Sequence, residues 1–353
     1  MSAQQPRTVT YGRHRALQTI SVTPLARQDG YWVMYFAPLL HHLFPIRVNK
    51  QADQVIEHSY IHGGAWRDPT VTSAAFDATE SILRKSPDLP IAGYASISYR
   101  LSAHPNHPQD PQSTPSDEFR DAKHPDHIRD VEAALTLLQS TYGFGSRYIL
   151  VGHSCGATLA FQTVMGAVAG HREQSITTDA NEPGTGAERV ISSPGSLPPR
   201  LKAHPTAIVG VAGIYDLRKL RDTHREISAY REFIEGAFET DEKLWDAVSP
   251  AQMVGSHGVE GGWKVGRLAV LAHSSDDELV DEVQLDSMRA SLRGWEDADA
   301  QVSVDDELAS KRRRVCVLPL SGAHDEIWSN GEELARAIIF AFRELQDMGL
   351  ALR

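Results

Sequence analysis

Short apolar runs rich in β-branched and small residues alternate with helical patterns along most of this chain. Between two such runs, four apolar residues recur at spacings of 3, 4 and 3, which places Ile128, Val131, Leu135 and Leu138 on one helical face. Strands that are apolar throughout and alternate with helices predict a mostly parallel sheet with helices on both faces. The predicted strands span residues 58–61, 91–99, 148–151, 207–212, 268–272 and 315–320.

The 353 residues are predicted to form a single α/β domain. Residues 1–55 precede the first predicted strand, so we expect them to form an N-terminal extension. Three segments interrupt the alternation, and we expect surface insertions or lid elements there. They are 102–127, rich in Pro, His and Asp; 171–205, rich in Gly, Pro, Ser and Thr; and 293–313, which begins acidic and ends basic.

The charge balance narrows the range of partners. The chain has 35 Lys and Arg against 46 Asp and Glu, a net charge of −11 with histidine neutral. This acidity argues against binding nucleic acid, which favours a basic surface, and against docking on an anionic membrane. The longest apolar stretch, residues 31–40, is shorter than the ~20 residues of a membrane span. We therefore expect that stretch to be buried inside the protein.

The cysteine content and the first eight residues indicate the cellular compartment of the protein. Cys155 and Cys316 are the only two cysteines, too few for a disulfide framework in a chain of this length. The first eight residues have no apolar core of the kind found in secretory signals. Both features predict a reducing, cytoplasmic environment. The oligomeric state stays open, a homodimer included.

The segment from Gly152 to Gly156 reads Gly-His-Ser-Cys-Gly, which matches the G-x-S-x-G pattern of a nucleophile elbow. In such an elbow, a serine occupies a sharp turn between a strand and a helix, and the flanking glycines avoid side-chain clashes across that turn. A predicted strand precedes Ser154 and a helical pattern follows it. Ser154 is therefore the candidate nucleophile, and the N–H of Cys155 is a candidate oxyanion donor; the alternative is a plain glycine turn.

A second glycine motif follows the strand predicted over 58–61. Residues 62–66 read His-Gly-Gly-Ala-Trp, similar to the HGGG-type oxyanion loop of esterases. Main-chain N–H groups in such a loop stabilise the negative charge that develops on a carbonyl oxygen. Gly63 and Gly64 are the candidate donors, and a shift of register would make them Gly64 and Ala65. We expect His62 to brace the loop; an ordinary turn is the alternative.

The acid of such a hydrolase lies between the serine and the histidine in chain order. Three carboxylates follow the strand predicted over 268–272, at Asp276, Asp277 and Glu278. We choose Asp277, because the residues after it open the next helix, and keep Asp276 as the second candidate. The base is expected in the loop after the last strand, where small residues precede His324. A proton relay from Ser154 through His324 to Asp277 follows.

Other histidines are spaced as in some metal sites. His104 and His107, and likewise His124 and His127, are separated by two residues. No cysteine or carboxylate pattern completes a zinc set, so we interpret them as loop histidines and predict no metal. Neither a phosphate-binding loop nor a dinucleotide fingerprint is recognisable.

The motifs together resemble those of the fungal kynurenine formamidases, which are α/β-hydrolase enzymes of tryptophan degradation. The resemblance implies the α/β-hydrolase fold, with Ser154 as nucleophile, Asp277 as acid, His324 as base and the loop at Gly63 and Gly64 as oxyanion hole. The chain departs from this family in residues 1–55 and in the insertions at 171–205 and 293–313. The resemblance rests on residues 61–69, 98–102, 124–128, 152–156, 273–280 and 322–326.

The activity implied by the resemblance is hydrolysis of N-formyl-L-kynurenine, a small molecule, to L-kynurenine and formate through a formyl-enzyme, with no cofactor. His62 and Trp66 are candidate substrate contacts; Trp66 could equally pack under the loop. Arg100 could meet the substrate carboxylate, although a structural ion pair is favoured. Two other interpretations stay open: a broad carboxylesterase on the same fold, and a non-catalytic binding protein.

Overall fold

A computed structural model describes residues 6–25, 30–36, 64–71, 73–86, 88–166, 201, 203–298 and 312–350. Eight strands in this part of the chain form one sheet. They are β1 (Arg7–Thr10), β2 (Thr19–Pro24), β3 (Tyr31–Phe36), β4 (Ile91–Ile97), β5 (Tyr148–His153), β6 (Ala207–Val211), β7 (Leu268–Ser274) and β8 (Arg314–Leu320).

The order of strands across the sheet is β1-β2-β4-β3-β5-β6-β7-β8. The pairs β1–β2 and β2–β4 are antiparallel, and every other neighbouring pair is parallel. This arrangement confirms the predicted mostly parallel sheet. Because the carboxyl ends of parallel strands meet at one edge, the residues that follow β5, β7 and β8 come together there.

Ten α-helices lie in the described part of the chain, and none of them is long and apolar enough to cross a membrane. They are α1 (Asp77–Leu83), α2 (Asp126–Tyr142), α3 (Cys155–Gln162), α4 (Leu217–Thr223), α5 (Ser228–Phe238), α6 (Glu242–Val248), α7 (Val259–Gly262), α8 (Glu282–Asp297), α9 (Glu326–Ser329) and α10 (Glu332–Asp347).

The helices cover both faces of the sheet because successive strand residues point to opposite sides. Tyr148 and Leu150 of β5 belong to one buried apolar cluster, which includes residues of α2, α3, α5 and α8. Ile149 and Val151 belong to a second cluster, which includes residues of α1 and α10. The continuous apolar runs of the sequence are thus explained by burial on both faces.

The N-terminal region differs from the expected extension. Strands β1, β2 and β3 all lie within residues 1–55, and β3 occupies the middle of the sheet between β4 and β5. The apolar stretch predicted to be buried supplies this strand, and its aromatic and aliphatic side chains pack on both faces. The strand predicted over 58–61 lies outside the described residues.

The first of the three predicted insertions, 102–127, lies wholly within the described residues, and the other two are described in part. Residues 102–125 contain no helix or strand, yet they are held by the Ser102 hydroxyl, which donates to Ala122 O at 2.7 Å, and by His124 N, which donates to Ala237 O at 2.7 Å. The third insertion begins later than expected, because α8 continues to Asp297, where Trp295 stacks on Trp263 with ring centroids 4.6 Å apart. Residues 171–200 and 299–311 lie outside the described residues.

Candidate active site

The predicted elbow is a sharp turn between β5 and α3. Ser154 has φ +54° and ψ −124°, a conformation that an L-residue adopts only under strain. A Cβ at position 152 would lie 2.3 Å from the carbonyl oxygen of Gly156, so only glycine fits there. Main-chain hydrogen bonds hold the turn: Ser154 N donates to Val211 O at 2.9 Å, and Ile214 N donates to Ser154 O at 3.3 Å. The serine is therefore fixed at the carboxyl edge of the sheet.

Cys155 connects the elbow with the predicted oxyanion loop. Its thiol is buried, lies 3.6 Å from the hydroxyl of Tyr99, and interacts with the main chain of Trp66. Burial raises the pKa of this thiol, and the contacts with Tyr99 and Trp66 oppose that rise only in part. The thiol is therefore neutral near pH 7 and acts as packing between the two motifs rather than as a second nucleophile.

The glycine loop is a strained turn over the residues that the structure describes. Gly64, Ala65 and Trp66 all have positive φ, at +71°, +32° and +61°. The carbonyl of Gly64 accepts hydrogen bonds from Arg67 N at 2.5 Å and from Asp68 N at 2.7 Å. In the described part of the chain, Ala65 N donates to no acceptor, which keeps it available for an oxyanion. His62 and Gly63 lie outside the described residues.

Trp66 lies in the core. Its side chain has no exposed surface and packs on two rings of α5, edge-on to Phe238 at 4.9 Å and tilted against Phe233 at 6.1 Å. This position favours the packing role over stacking on a substrate. Its indole N–H is buried and has no hydrogen-bond partner among the described residues.

The predicted acid and base are in direct contact. The Nδ1 atom of His324 lies 2.8 Å and 3.0 Å from the two carboxylate oxygens of Asp277, and both side chains are almost completely buried. Asp276, the second candidate, is exposed, and its main-chain N–H bonds to the hydroxyl of Ser274 instead. The geometry therefore pairs Asp277, not Asp276, with His324.

Asp277 is stabilised as an anion. Burial alone would raise the pKa of its carboxyl, but the hydrogen bond and charge of His324 and the N–H groups of Leu279 and Val280 leave that pKa below its usual value. Those two donors lie 3.0 Å and 2.9 Å from Oδ1. A carboxylate held this way fixes the orientation of the imidazole and stabilises its protonated form.

Two further residues, which sequence reasoning did not single out, hold the backbone of His324. The Glu278 carboxylate accepts from His324 N at 3.0 Å. His153 Nε2 donates to the carbonyl of His324 at 3.2 Å, and the two rings lie 4.5 Å apart. Burial, followed by the neighbouring His324, lowers the pKa of His153 well below its usual value, so His153 stays neutral. The only signal in the sequence was the position of His153 inside the elbow motif.

These contacts bring the loop of His324 to the elbow that carries Ser154. His153 immediately precedes Ser154, and its ring packs on that of His324. The hydroxyl of Ser154 and the ring of His324 are both described, and no hydrogen bond joins them in this structure. Contacts of this kind often tighten only when substrate is bound.

The other polar residues considered from the sequence have structural partners. Arg100 bonds to both carboxylate oxygens of Asp130 and to Asp126, so it forms the favoured ion pair. His104 and His107 pack edge to face with ring centroids 4.8 Å apart. Among the described residues, no group of three or more histidine, cysteine or acidic side chains is placed to hold a metal ion.

Comparison with known proteins now identifies the class. The model of the alpha/beta hydrolase family matches residues 60–337. The chain therefore belongs to the alpha/beta hydrolase family. It is similar to the esterase Est2 of Thermogutta terrifontis, with a TM-score of 0.54 and 13% identity over 98% of this chain and 95% of that one. It is also similar to a carbohydrate esterase from gut microbiota, with a TM-score of 0.53, 14% identity and coverage of 98% and 99%. At such low identity, these likenesses support the fold alone.

More similar sequences lie within a narrower group. The chain is 37% identical over 299 residues to the kynurenine formamidase-like hydrolase fscH of Fusarium equiseti, covering 83% of this chain and 84% of that protein. It is 36% identical over 291 residues to the kynurenine formamidase avaC of Aspergillus versicolor, covering 77% and 84%. These relatives confirm the resemblance to the fungal kynurenine formamidases.

Proposed function

We propose that this protein hydrolyses N-formyl-L-kynurenine to L-kynurenine and formate, in the cytoplasm and without a cofactor. The observation that carries the proposal is the joint position of Ser154 on a strained elbow and of the buried Asp277–His324 pair at the same edge of the sheet. Relatives at 36–37% identity that are named for this activity support the choice of substrate.

The first half-reaction forms a formyl-enzyme. The hydroxyl oxygen of Ser154 attacks the formyl carbon while His324 Nε2 takes the hydroxyl proton. The N–H groups of Cys155, Ala65 and Gly64 stabilise the oxyanion, and Asp277 stabilises the imidazolium. The carbon–nitrogen bond then breaks, and His324 returns the proton to the leaving aryl amine. L-Kynurenine departs and leaves the formyl group on Ser154.

The second half-reaction uses water. His324 removes a proton from the water as its oxygen attacks the formyl ester, and the same donors hold the second oxyanion. The bond to the serine oxygen breaks, His324 protonates that oxygen, and formate leaves. The enzyme returns to its starting state, and each turnover consumes one water.

A substrate comparison tests this function against a general esterase. We expect kcat/KM for N-formyl-L-kynurenine to exceed that for p-nitrophenyl acetate, with L-kynurenine and formate released in equal amounts. The two products are measured by absorbance and by a coupled formate assay. A preference for the ester by orders of magnitude would overturn the proposal, and labelling of Ser154 by a fluorophosphonate would then distinguish an esterase from an inert binding protein.

A further inference from the structure

A cavity of about 510 Å³ adjoins the strained turn that carries the oxyanion donors. It lies between this turn, the segment that follows β4, and α5. The charged side chains and histidines on its walls are Arg67, His104, His107, Arg120, Glu232 and Glu235. Cations thus come from the loops, whereas both carboxylates come from the helix.

Arg67 is buried without an acceptor. The residue is only 9% exposed, and its guanidinium makes no hydrogen bond or ion pair with any residue that the structure describes. It lies 5.9 Å from the ring centre of Phe233, and burial lowers its pKa from the usual value, a shift that the nearby charges of Glu232 and Asp68 oppose. A buried guanidinium that lacks an acceptor is costly, so this side chain is suited to a ligand that brings an anion.

Arg120 adds a second unsatisfied group on the same wall. One of its nitrogens donates to His107 O at 2.7 Å, while its Nε is buried with no partner. Burial lowers the pKa of this guanidinium, and the charge of the nearby Asp68 opposes that shift only in part. The pKa of the nearby His104 is lowered to about 4, chiefly by burial, so His104 adds no positive charge near pH 7. The positive charge therefore lies on the two arginines.

The opposite wall carries Glu232 and Glu235, one helical turn apart. Glu235 lies 3.9 Å from Arg231 on its own helix. Glu232 accepts from the hydroxyl of Ser228 at 2.8 Å and has no cationic hydrogen-bond partner among the described residues. A cavity with arginines on one side and carboxylates on the other is complementary to a zwitterion, such as the end of an α-amino acid.

The separation between Arg67 and the main-chain donor at Ala65 also matches the length of the substrate. Arg67 is two residues from Ala65 in the same turn, so their Cα atoms are at most about 7.6 Å apart. In N-formyl-L-kynurenine, about seven covalent bonds separate the formyl carbon from the carboxylate carbon, or roughly 8 Å when extended. A formyl group held by the oxyanion donors can therefore present the other end of the molecule to Arg67.

We infer that this cavity is the subsite for the amino-acid end of the substrate, where Arg67, aided by Arg120, binds the carboxylate and Glu232 binds the ammonium group. The inference rests on the proposed function. It assigns specificity to residues that take no part in the chemistry at Ser154.

Three substrates separate the two contacts. N-Formyl-L-kynurenine carries both charged groups, 4-(2-formamidophenyl)-4-oxobutanoate keeps only the carboxylate, and 2-formamidoacetophenone has neither. We expect Arg67→Met to lower kcat/KM for the first two by about 10- to 100-fold more than for the third. We expect Glu232→Gln to lower kcat/KM by about tenfold for N-formyl-L-kynurenine and to leave the other two substrates unaffected. Arg67→Lys should recover part of the loss, and the exposed Arg289→Met serves as the control.

The outcomes distinguish this inference from the proposed function. Equal losses on all three substrates in both variants would overturn the subsite and leave the formamidase activity standing. Equal kcat/KM values of the unaltered enzyme for all three substrates would also overturn the subsite and leave the formamidase activity standing. Failure of the unaltered enzyme to hydrolyse any of them would instead overturn the proposed function. Because Glu232 lies on the exposed surface of α5, its variant keeps the test decisive if Arg67→Met does not fold.

Discussion

The two sides of the candidate site differ in how completely their polar groups are paired. On the acid–base side, Asp277 accepts from His324 and from two main-chain donors, while Glu278 and His153 hold the backbone of His324. On the oxyanion side, which comprises the turn at 64–68 and the adjoining cavity, Arg67 has no acceptor among the described residues. The Asp277–His324 pair is thus hydrogen-bonded without a ligand, whereas the guanidinium of Arg67 has no hydrogen-bond partner among the described residues.

This difference indicates that the two sides have different roles. The hydrogen bonds of Asp277 and of the His324 backbone hold this pair in one geometry, which suits proton transfer that must be repeated at each turnover. Unpaired groups in a cavity are satisfied only when a ligand of matching charge enters. We therefore expect changes on the acid–base side to reduce the rate for every substrate, and changes around Arg67 to reduce it selectively.

The largest effect is expected on the acid–base side. Asp277→Asn should lower kcat by ~10³–10⁴ on all three formanilides, because the imidazole loses the carboxylate that orients it and stabilises its charge. Asp276→Asn is the matched control, since Asp276 is exposed and does not contact His324. Steady-state kinetics of both variants check this; similar rates for the two would show that the Asp277–His324 contact has no catalytic role.

A stability measurement sharpens the contrast between two arginines. Arg100→Met should lower the free energy of unfolding by about 2–4 kcal/mol, because it removes the ion-pair partner of the buried Asp130. Arg67→Met should leave the free energy of unfolding unchanged or raise it, because it removes a buried charge that forms no ion pair with any residue in the described part of the chain. Urea denaturation gives both values. A loss as large in Arg67→Met as in Arg100→Met would mean that Arg67 already has an acceptor in the folded protein.

Low pH should destabilise the fold through His127, a buried histidine in the first turn of α2. Burial, followed by the charges of His124 and Arg100, lowers the pKa of His127 to about 3. The unfolded chain binds this proton near pH 6.5, so the contribution is fully present above that pH and is lost as the pH falls toward 3. His127 alone should remove about 2 kcal/mol of stability between pH 7 and pH 5.

The measurement is urea denaturation at both pH values, with His127→Gln as the comparison. Gln keeps a polar group near the hydroxyl of Ser102, which lies 3.1 Å from His127 Nε2, but it does not titrate. The variant should therefore lose less stability between pH 7 and pH 5 than the unaltered protein. An identical loss in the two proteins would contradict the buried, neutral state of His127.

Strands β4 to β8 and the three candidate residues of the relay could be predicted from the sequence, because each is defined by a local pattern. Apolar runs specify the buried strands, and the positions of Ser154, Asp277 and His324 after the parallel strands β5, β7 and β8 bring them to one edge. Strand β3 was not predicted, because a short apolar run such as residues 31–40 is compatible with either a strand or a buried helix.

The pairing of charges could not be predicted in the same way. Arg67 and Arg100 are the same residue type and both follow apolar segments, but only Arg100 meets carboxylates, which α2 supplies from 26 and 30 residues further along the chain. The support of His324 by Glu278 and His153 likewise depends on how loops from different strands meet. Such contacts follow from tertiary packing, not from local spacing.

The most direct test of the account is the release of formate from N-formyl-L-kynurenine by the unaltered enzyme and by Ser154→Ala. The account predicts one formate per L-kynurenine from the former and a fall in kcat of at least ~10³ in the latter, with the melting temperature nearly unchanged. Formate release by Ser154→Ala at close to the original rate would contradict the central claim that Ser154 attacks the formyl carbon.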